Sequence, residues 1–87
     1  MVKLNYHQDP GHGWLEVEQN DLDDVGLSYI DFTSCSYANV DVLYLEEDCD
    51  MSLFIRAYKT KHGEGPELEE VLYNDECFIR SLPRLPV

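Results

Sequence analysis

More than half of the sequence, from Leu4 to Ile55, has no lysine or arginine, and this stretch carries twelve Asp and Glu residues. The whole chain has eighteen acids against six bases, for a formal net charge of −12. A field of one sign helps solubility and opposes direct binding to nucleic acid or to an anionic membrane. The charge pattern therefore favours a basic protein surface as the macromolecular partner.

Long hydrophobic runs are also missing. No stretch approaches the roughly 20 apolar residues that a transmembrane helix needs. Lys3 is followed by Tyr6, His7 and Asp9 rather than by the apolar run of a signal peptide. We therefore expect a cytoplasmic protein that does not contact a membrane.

Cysteine usage does not indicate a disulfide scaffold. The three residues, Cys35, Cys49 and Cys77, are an odd number and have no CxxC spacing. This pattern is more typical of reduced thiols in an intracellular protein.

Sequence signatures of catalysis are missing as well. The chain has no GxSxG nucleophile motif and no glycine-rich phosphate loop. We expect a protein that is not an enzyme and that needs no cofactor.

The composition does support a folded core. At 87 residues, with 44% hydrophobic and 11% aromatic residues, the chain is suited to a single domain over 1–87. A disordered acidic tail would be poorer in aromatic residues.

Local patterns predict a small α+β domain. Residues 4–17 read as a hairpin around Asp-Pro-Gly, and residues 20–26 as a short helix capped by Asn20 and ended by Gly26. A second hairpin is expected between about 29 and 47, with its turn at Ala38-Asn39.

The strongest helix signal covers about residues 50–62. Its apolar residues recur at helical spacing, and Gly63 follows a basic last turn. Asp48 or Asp50 is expected to cap its start. The apolar stripe consists of Met51, Phe54, Ile55 and Tyr58.

Residues 67–80 allow two interpretations. They can form two strands around Asn74-Asp75, which their β propensity favours, or a helix that starts at Pro66. The predicted fold is a two-layer α+β domain, with a mainly antiparallel sheet, one main helix (50–62) and one short helix (20–26).

The segment "YLEEDCD" at residues 44–50 places four carboxylates in seven positions. A calcium loop would need alternating ligands and a glycine turn, which this segment lacks. Helix capping accounts for Asp48 and Asp50, and we interpret the remaining acids as a partner-binding surface. The residues predicted to bind the partner are Asp21, Asp23, Asp24, Asp41, Glu46, Glu47, Asp48 and Asp50.

A metal site is a weaker alternative. His7, Asp9 and His12 could converge on a zinc ion, with a cysteine as the fourth ligand, although their spacing matches no standard zinc motif.

The segments "YHQDPGHGWLEV", "YLEEDCDMSLFI" and "FIRSLPR" resemble a family of small uncharacterised proteins of tailed phages and other bacterial mobile elements. The resemblance implies an early phage protein that acts in the host cytoplasm. Small acidic proteins in that setting are often anti-CRISPR or anti-restriction inhibitors.

We therefore expect an inhibitor that binds the basic nucleic-acid-binding surface of a host defence or nucleic-acid-processing complex. Mimicry of DNA or RNA is one form that such inhibition could take. Its partner would be a basic host protein or ribonucleoprotein, and the chain would be a monomer or a homodimer. The alternatives are a small metal-binding module and a structural or adaptor phage protein without inhibitory activity.

Overall fold

A five-stranded sheet forms the centre of the computed structural model, which describes residues 3–85. The strand order is β3-β4-β2-β1-β5. Neighbouring strands are antiparallel except β1 and β5, which are parallel. The strands are β1 (Lys3–Gln8), β2 (Gly13–Glu18), β3 (Tyr37–Asn39), β4 (Val42–Glu46) and β5 (Glu67–Leu72).

The first hairpin forms where the sequence predicts it. Strands β1 and β2 pair antiparallel, with Tyr6 opposite Leu15 and His7 opposite Trp14. Because side chains alternate along a strand, Leu15 and Val17 lie on one face of the sheet and Trp14 on the other. All three are almost fully buried, so the sheet has a core on each face.

The larger core lies between the sheet and two helices, α1 (Gln19–Asp24) and α2 (Met51–His62). Phe54 and Tyr58 of α2 are buried against Leu15 and Leu45 of the sheet. The predicted α+β domain, with one main helix and one short helix, is confirmed.

The helix ends differ in detail from the prediction. Glu18, not Asn20, occupies the capping position of α1, because its backbone N–H is bonded to the Asp21 carboxylate at 2.8 Å in a capping box. Gly63 ends α2 in the left-handed conformation with φ of 82°, as its position predicts.

The smaller core covers the opposite face of the sheet. Trp14, Tyr37 and Tyr44 pack there against Cys77 and Ile79. The segment that carries Ile79 is a 3₁₀ helix, Phe78–Ser81, so the expected strand over "CFIRSL" is wrong. Its apolar residues have the β propensity of a strand, but they pack against the face of the sheet and do not pair with its strands.

The second hairpin is shorter than predicted. Strands β3 and β4 pair around a turn at Val40-Asp41, not at Ala38-Asn39, and Tyr29–Asp31 form a 3₁₀ helix. Ser28 and Asp31 form a capping box there, a local alternative to a strand ladder.

Strand β5 confirms the strand interpretation for the first part of residues 67–80 and excludes the helix from Pro66. It pairs parallel with β1, with Leu4 opposite Leu68 and His7 opposite Val71. Since β1 and β4 run the same way, α2 forms a crossover that leads the chain to the far edge of the sheet.

Candidate functional site

The eight acids predicted to bind a partner do not form one surface. Glu46 and Asp50 are buried, at 7% and 2% exposed, which contradicts their assignment to a surface. Asp21, Asp24 and Glu47 are half-buried, and only Asp23, Asp41 and Asp48 are exposed.

The Asp50 side chain binds the loop before β3 and does not cap α2. Its carboxylate accepts hydrogen bonds from the backbone N–H and hydroxyl of Thr33 and from the hydroxyl of Ser36, the last at 2.5 Å. It occupies the capping position of α2 but makes no cap hydrogen bond. The carboxylate is therefore structural, because it fixes the turn between β4 and α2.

Three more of these acids have partners within the protein. Asp21 caps α1, and Glu47 accepts a hydrogen bond from the Tyr6 hydroxyl at 2.5 Å. Asp24 binds Lys61 at 2.8 Å and His62 at 2.7 Å, and the hydrogen bonds from Lys61 and then His62 hold the pKa of the Asp24 carboxyl below its usual range. Asp24 thereby ties α1 to the end of α2.

The predicted metal trio of His7, Asp9 and His12 is not assembled. Both ring nitrogens of His7 are occupied, by the Tyr73 hydroxyl at 2.9 Å and by Glu16 at 2.8 Å. The Asp9 carboxylate is fully engaged elsewhere, so neither residue is available to a metal ion.

Asp9 instead connects the first hairpin to the C-terminal segment. Arg80 donates two hydrogen bonds to its carboxylate, at 2.6 and 2.9 Å, and Cys77 donates a third from its backbone N–H. The backbone N–H groups of Gly11 and His12 donate two more. The Arg80 guanidinium, followed by these backbone donors, holds the pKa of the Asp9 carboxyl well below its usual range.

His12 lies beside the end of β4, because the pairing of β2 with β4 sets Trp14 opposite Glu46. One ligand atom from each of four residues lies within 4.8 Å of the others. We call this group the turn cluster; its members are His12, Glu46, Glu47 and Asp48.

Glu46 is the buried member of the turn cluster. Its Oε1 accepts a hydrogen bond from the backbone N–H of Asp48 at 3.1 Å. Its Oε2 is buried and has no hydrogen-bond partner among residues 3–85, and His12 Nδ1 lies 3.4 Å from it. The residue lines an open cavity of about 360 Å³, together with His12, Asp48 and others.

Glu47 is oriented by a close approach of Tyr6 to Gly13. A β-carbon at Gly13 would collide with the Tyr6 hydroxyl, so only glycine leaves room for the bond from Tyr6 to Glu47. Burial, reinforced by that carboxylate, raises the pKa of Tyr6, which keeps the hydroxyl protonated as a donor.

Two cysteines meet on the rim of the same cavity. The sulfur atoms of Cys35 and Cys49 are 2.7 Å apart, and both residues line the cavity. The hydrogen bond with Cys35, supported by burial and by Glu46, raises the pKa of Cys49 to about 12. The Cys49 thiol is therefore protonated and weakly nucleophilic at neutral pH.

A second candidate site is the free edge of β5. This strand pairs with β1 on one side and with no other strand among residues 3–85. Its backbone groups on the other side are available to an extended partner chain. Three exposed carboxylates lie on this strand and two more in the loop that follows it. We call these five together the acidic edge: Glu67, Glu69, Glu70, Asp75 and Glu76.

Apolar side chains accompany these charges. Leu68 and Leu72 are 37% and 71% exposed and lie on the same face of β5, because they alternate along the strand. The only ion pair that the strand forms among the described residues is with Lys3, which is 3.1 Å from Glu69 and itself half exposed. The edge thus combines unpaired backbone, negative charge and an apolar anchor.

Comparison with known proteins yields no relative: no family model, no curated protein and no solved structure matches this chain. None of the helices described within residues 3–85 is long and apolar enough to cross a membrane.

Sequence reasoning missed the acidic edge. It named the members of the turn cluster without bringing them together: Glu46, Glu47 and Asp48 as partner-binding acids, and His12 as a ligand of the alternative metal site. The acidic edge depends on a parallel pairing of β5 with β1, and the turn cluster on the register of β2 with β4. Each is a long-range pairing. The one available signal was the acidic run "ELEE" in a segment of high β propensity, which is typical of a charged edge strand.

Proposed function

We propose that the protein is a phage-type acidic inhibitor without catalytic activity, which binds the basic nucleic-acid-binding surface of a host defence or nucleic-acid-processing complex. The acidic edge is the observation that carries the proposal. The resemblance to small phage proteins and the net charge of −12 are consistent with it.

The edge can recognise a basic surface in two ways. An extended segment of the partner can add a strand to β5 through backbone hydrogen bonds, as in other cases of strand addition. Carboxylates at alternate positions, about 6.6 Å apart, can then face Lys and Arg side chains. Such charges speed association and set specificity, and their effect weakens with salt.

Leu72 would supply the apolar contact that charges at an interface rim cannot replace. Its side chain is 71% exposed at the end of β5, beside a shallow depression between Gln8 and Tyr73. We therefore expect the contact to be centred on the C-terminal half of β5.

The test is capture of partners from nuclease-treated bacterial lysate on the immobilised protein, with elution in salt steps and by a competing oligonucleotide. We expect a nucleic-acid-binding protein that both salt and the oligonucleotide release. Changing Glu67, Glu69 and Glu70 to Gln should abolish capture, because it neutralises β5 and leaves its backbone unchanged.

A comparison variant carries the same net charge. In it, three exposed carboxylates away from β5 are neutralised: Asp23→Asn, Asp41→Asn and Glu64→Gln. Capture should survive in this variant. If the β5 variant still captures the same protein, or if the oligonucleotide does not compete, the acidic edge is not a nucleic-acid-like surface and the charges serve to prevent self-association.

A further inference from the structure

We propose that the turn cluster is a binding site for a divalent first-row transition-metal ion such as Zn²⁺ or Mn²⁺. The imidazole of His12 and the carboxylates of Glu46, Glu47 and Asp48 would hold the ion. This inference is independent of the proposed function.

The buried carboxylate of Glu46 is the first argument. A buried polar group is costly unless it is hydrogen-bonded or bound to a metal ion. Charge-assisted N–H···O bonds are about 2.7–2.9 Å long, so the 3.4 Å between His12 Nδ1 and Glu46 Oε2 leaves that oxygen without one. A cation in the cavity that Glu46 lines would satisfy it.

Geometry is the second argument. Carboxylate oxygens and imidazole nitrogens lie about 2.0–2.2 Å from Zn²⁺, so two ligand atoms of a tetrahedral zinc site are about 3.4 Å apart. The four ligand atoms of the turn cluster already lie within 4.8 Å of one another. Small side-chain rotations, without movement of the backbone, would bring them onto one ion.

The ligands are also held in place by the fold. The Tyr6 hydroxyl fixes Glu47, and the backbone N–H of Glu47 donates to Gly13 O at 3.0 Å. Ser36 bonds both the backbone N–H of Glu46 and the Asp50 carboxylate, which anchors the turn from below. A preformed set of ligands lowers the ordering cost of binding.

The ligand types select the metal. Carboxylates alone would suit Ca²⁺, Mg²⁺ or Mn²⁺, whereas an imidazole nitrogen favours Zn²⁺ and the other later first-row ions. Two arginines line the same cavity, but Arg80 is paired with Asp9, and Arg84 lies over the Tyr37 ring at 5.2 Å. Neither guanidinium forms a described ion pair with the turn cluster.

The only tryptophan provides a local signal for the experiment. The ring centroid of Trp14 lies 6.1 Å from that of His12. A paramagnetic Mn²⁺ or Co²⁺ ion in the turn cluster should therefore quench the Trp14 fluorescence, while Mg²⁺ should not. At a hundredfold excess over Kd, Zn²⁺ should raise the Tm by about 10 °C or more.

Matched variants test the ligands. Glu46→Gln should abolish both the quenching and the Tm shift, whereas Glu64→Gln, the same change at an exposed loop position, should preserve them. Without metal, Glu46→Gln should fold with a Tm close to that of the wild type, because Glu46 Oε2 accepts no hydrogen bond from the described residues that the variant would lose.

His12 provides an independent variant if Glu46→Gln fails to fold. Its side chain is 48% exposed, so His12→Ala should fold normally. It should weaken Zn²⁺ binding at least tenfold and reduce the preference over Mg²⁺, because it removes the nitrogen ligand.

The neighbouring thiols are the main competing ligands for zinc. The double variant Cys35→Ser/Cys49→Ser should retain quenching by Mn²⁺ and the Tm shift. The proposal is overturned if neither ion affects the wild-type protein, if Glu46→Gln retains binding, or if binding disappears with the two cysteines.

Discussion

The carboxylate of Asp9 accepts five hydrogen bonds. This side chain is 1% exposed, and it accepts hydrogen bonds from Arg80 and from three backbone N–H groups. One side chain thereby joins the turn between β1 and β2 to the 3₁₀ helix that covers the smaller core.

Asp9→Asn should lower the free energy of unfolding by about 2–4 kcal/mol. The amide cannot accept from every donor, and it leaves the Arg80 charge and at least one buried N–H without a partner. Chemical denaturation measures the loss. Asp41→Asn, the same change at an exposed position, should stay within about 0.5 kcal/mol of wild type. A loss below about 1 kcal/mol for Asp9→Asn would show that Arg80 finds another partner.

For some residues, the role predicted from residue type and position differs from the role in the structure. Asp50 occurs just before a helix and suggests a cap, yet its carboxylate is buried against Thr33 and Ser36. His7 suggests a ligand, yet both of its ring nitrogens have partners. In each case the deciding partner is distant in sequence, and local spacing carries no information about it.

At the scale of elements, the turn between β3 and β4 is strained. Val40 has φ of 56°, a left-handed conformation that β-branched residues rarely adopt, and its side chain is 90% exposed. The strain costs about 1–2 kcal/mol, and no packing compensates for it locally. Two-residue hairpin turns with positive φ at their first position favour glycine there.

Val40→Gly should therefore stabilise the protein by about 0.5–1 kcal/mol, after the greater freedom of glycine in the unfolded chain is subtracted. Thermal unfolding should show a Tm higher by a few degrees. Val71→Gly, in the middle of β5, is the control and should lower the Tm, because glycine weakens a strand. A lower Tm for Val40→Gly would mean that the turn does not adopt this conformation in solution.

The sequence predicts helices and turns that have a local sequence signal, but not which strands pair with each other. The 3.6-residue spacing of Met51, Phe54, Ile55 and Tyr58 placed α2 to within one residue, and Asp-Pro-Gly placed the first turn. The β propensity of "CFI" predicts a strand, but Phe78–Ser81 form a 3₁₀ helix. Propensity alone does not show whether a segment pairs with a sheet. The parallel pairing of β5 has no local signature at all.

Charge acts on the molecule as a whole. The protein measures 35 × 26 × 20 Å, and the Debye length is about 30 Å at 0.01 M salt and about 3 Å at 1 M. At low salt, its excess negative charges therefore repel one another across the entire structure. Surface pairs such as Lys3–Glu69 contribute too little to offset this.

Raising NaCl from about 0.01 M to about 0.5 M should increase the Tm, because screening removes the repulsion at short Debye length. Circular dichroism at a series of salt concentrations measures it. The variant with Glu67, Glu69 and Glu70 changed to Gln should have a higher Tm than the wild type at low salt. Its Tm should rise less as NaCl is added. A Tm that falls with NaCl would mean that local ion pairs outweigh the net charge.

The position of β5 also has a consequence for synthesis on the ribosome. Its partner β1 is made first, and nearly the whole domain must emerge before residues 67–72 can pair with it. Until then the edge of β1 is unpaired. The pairing of β1 with β5 closes the longest chain segment in the sheet, so it has the largest entropic cost. The strand that forms the acidic edge is thus the last to join, so a nascent chain completes its sheet and its candidate binding surface in the same step.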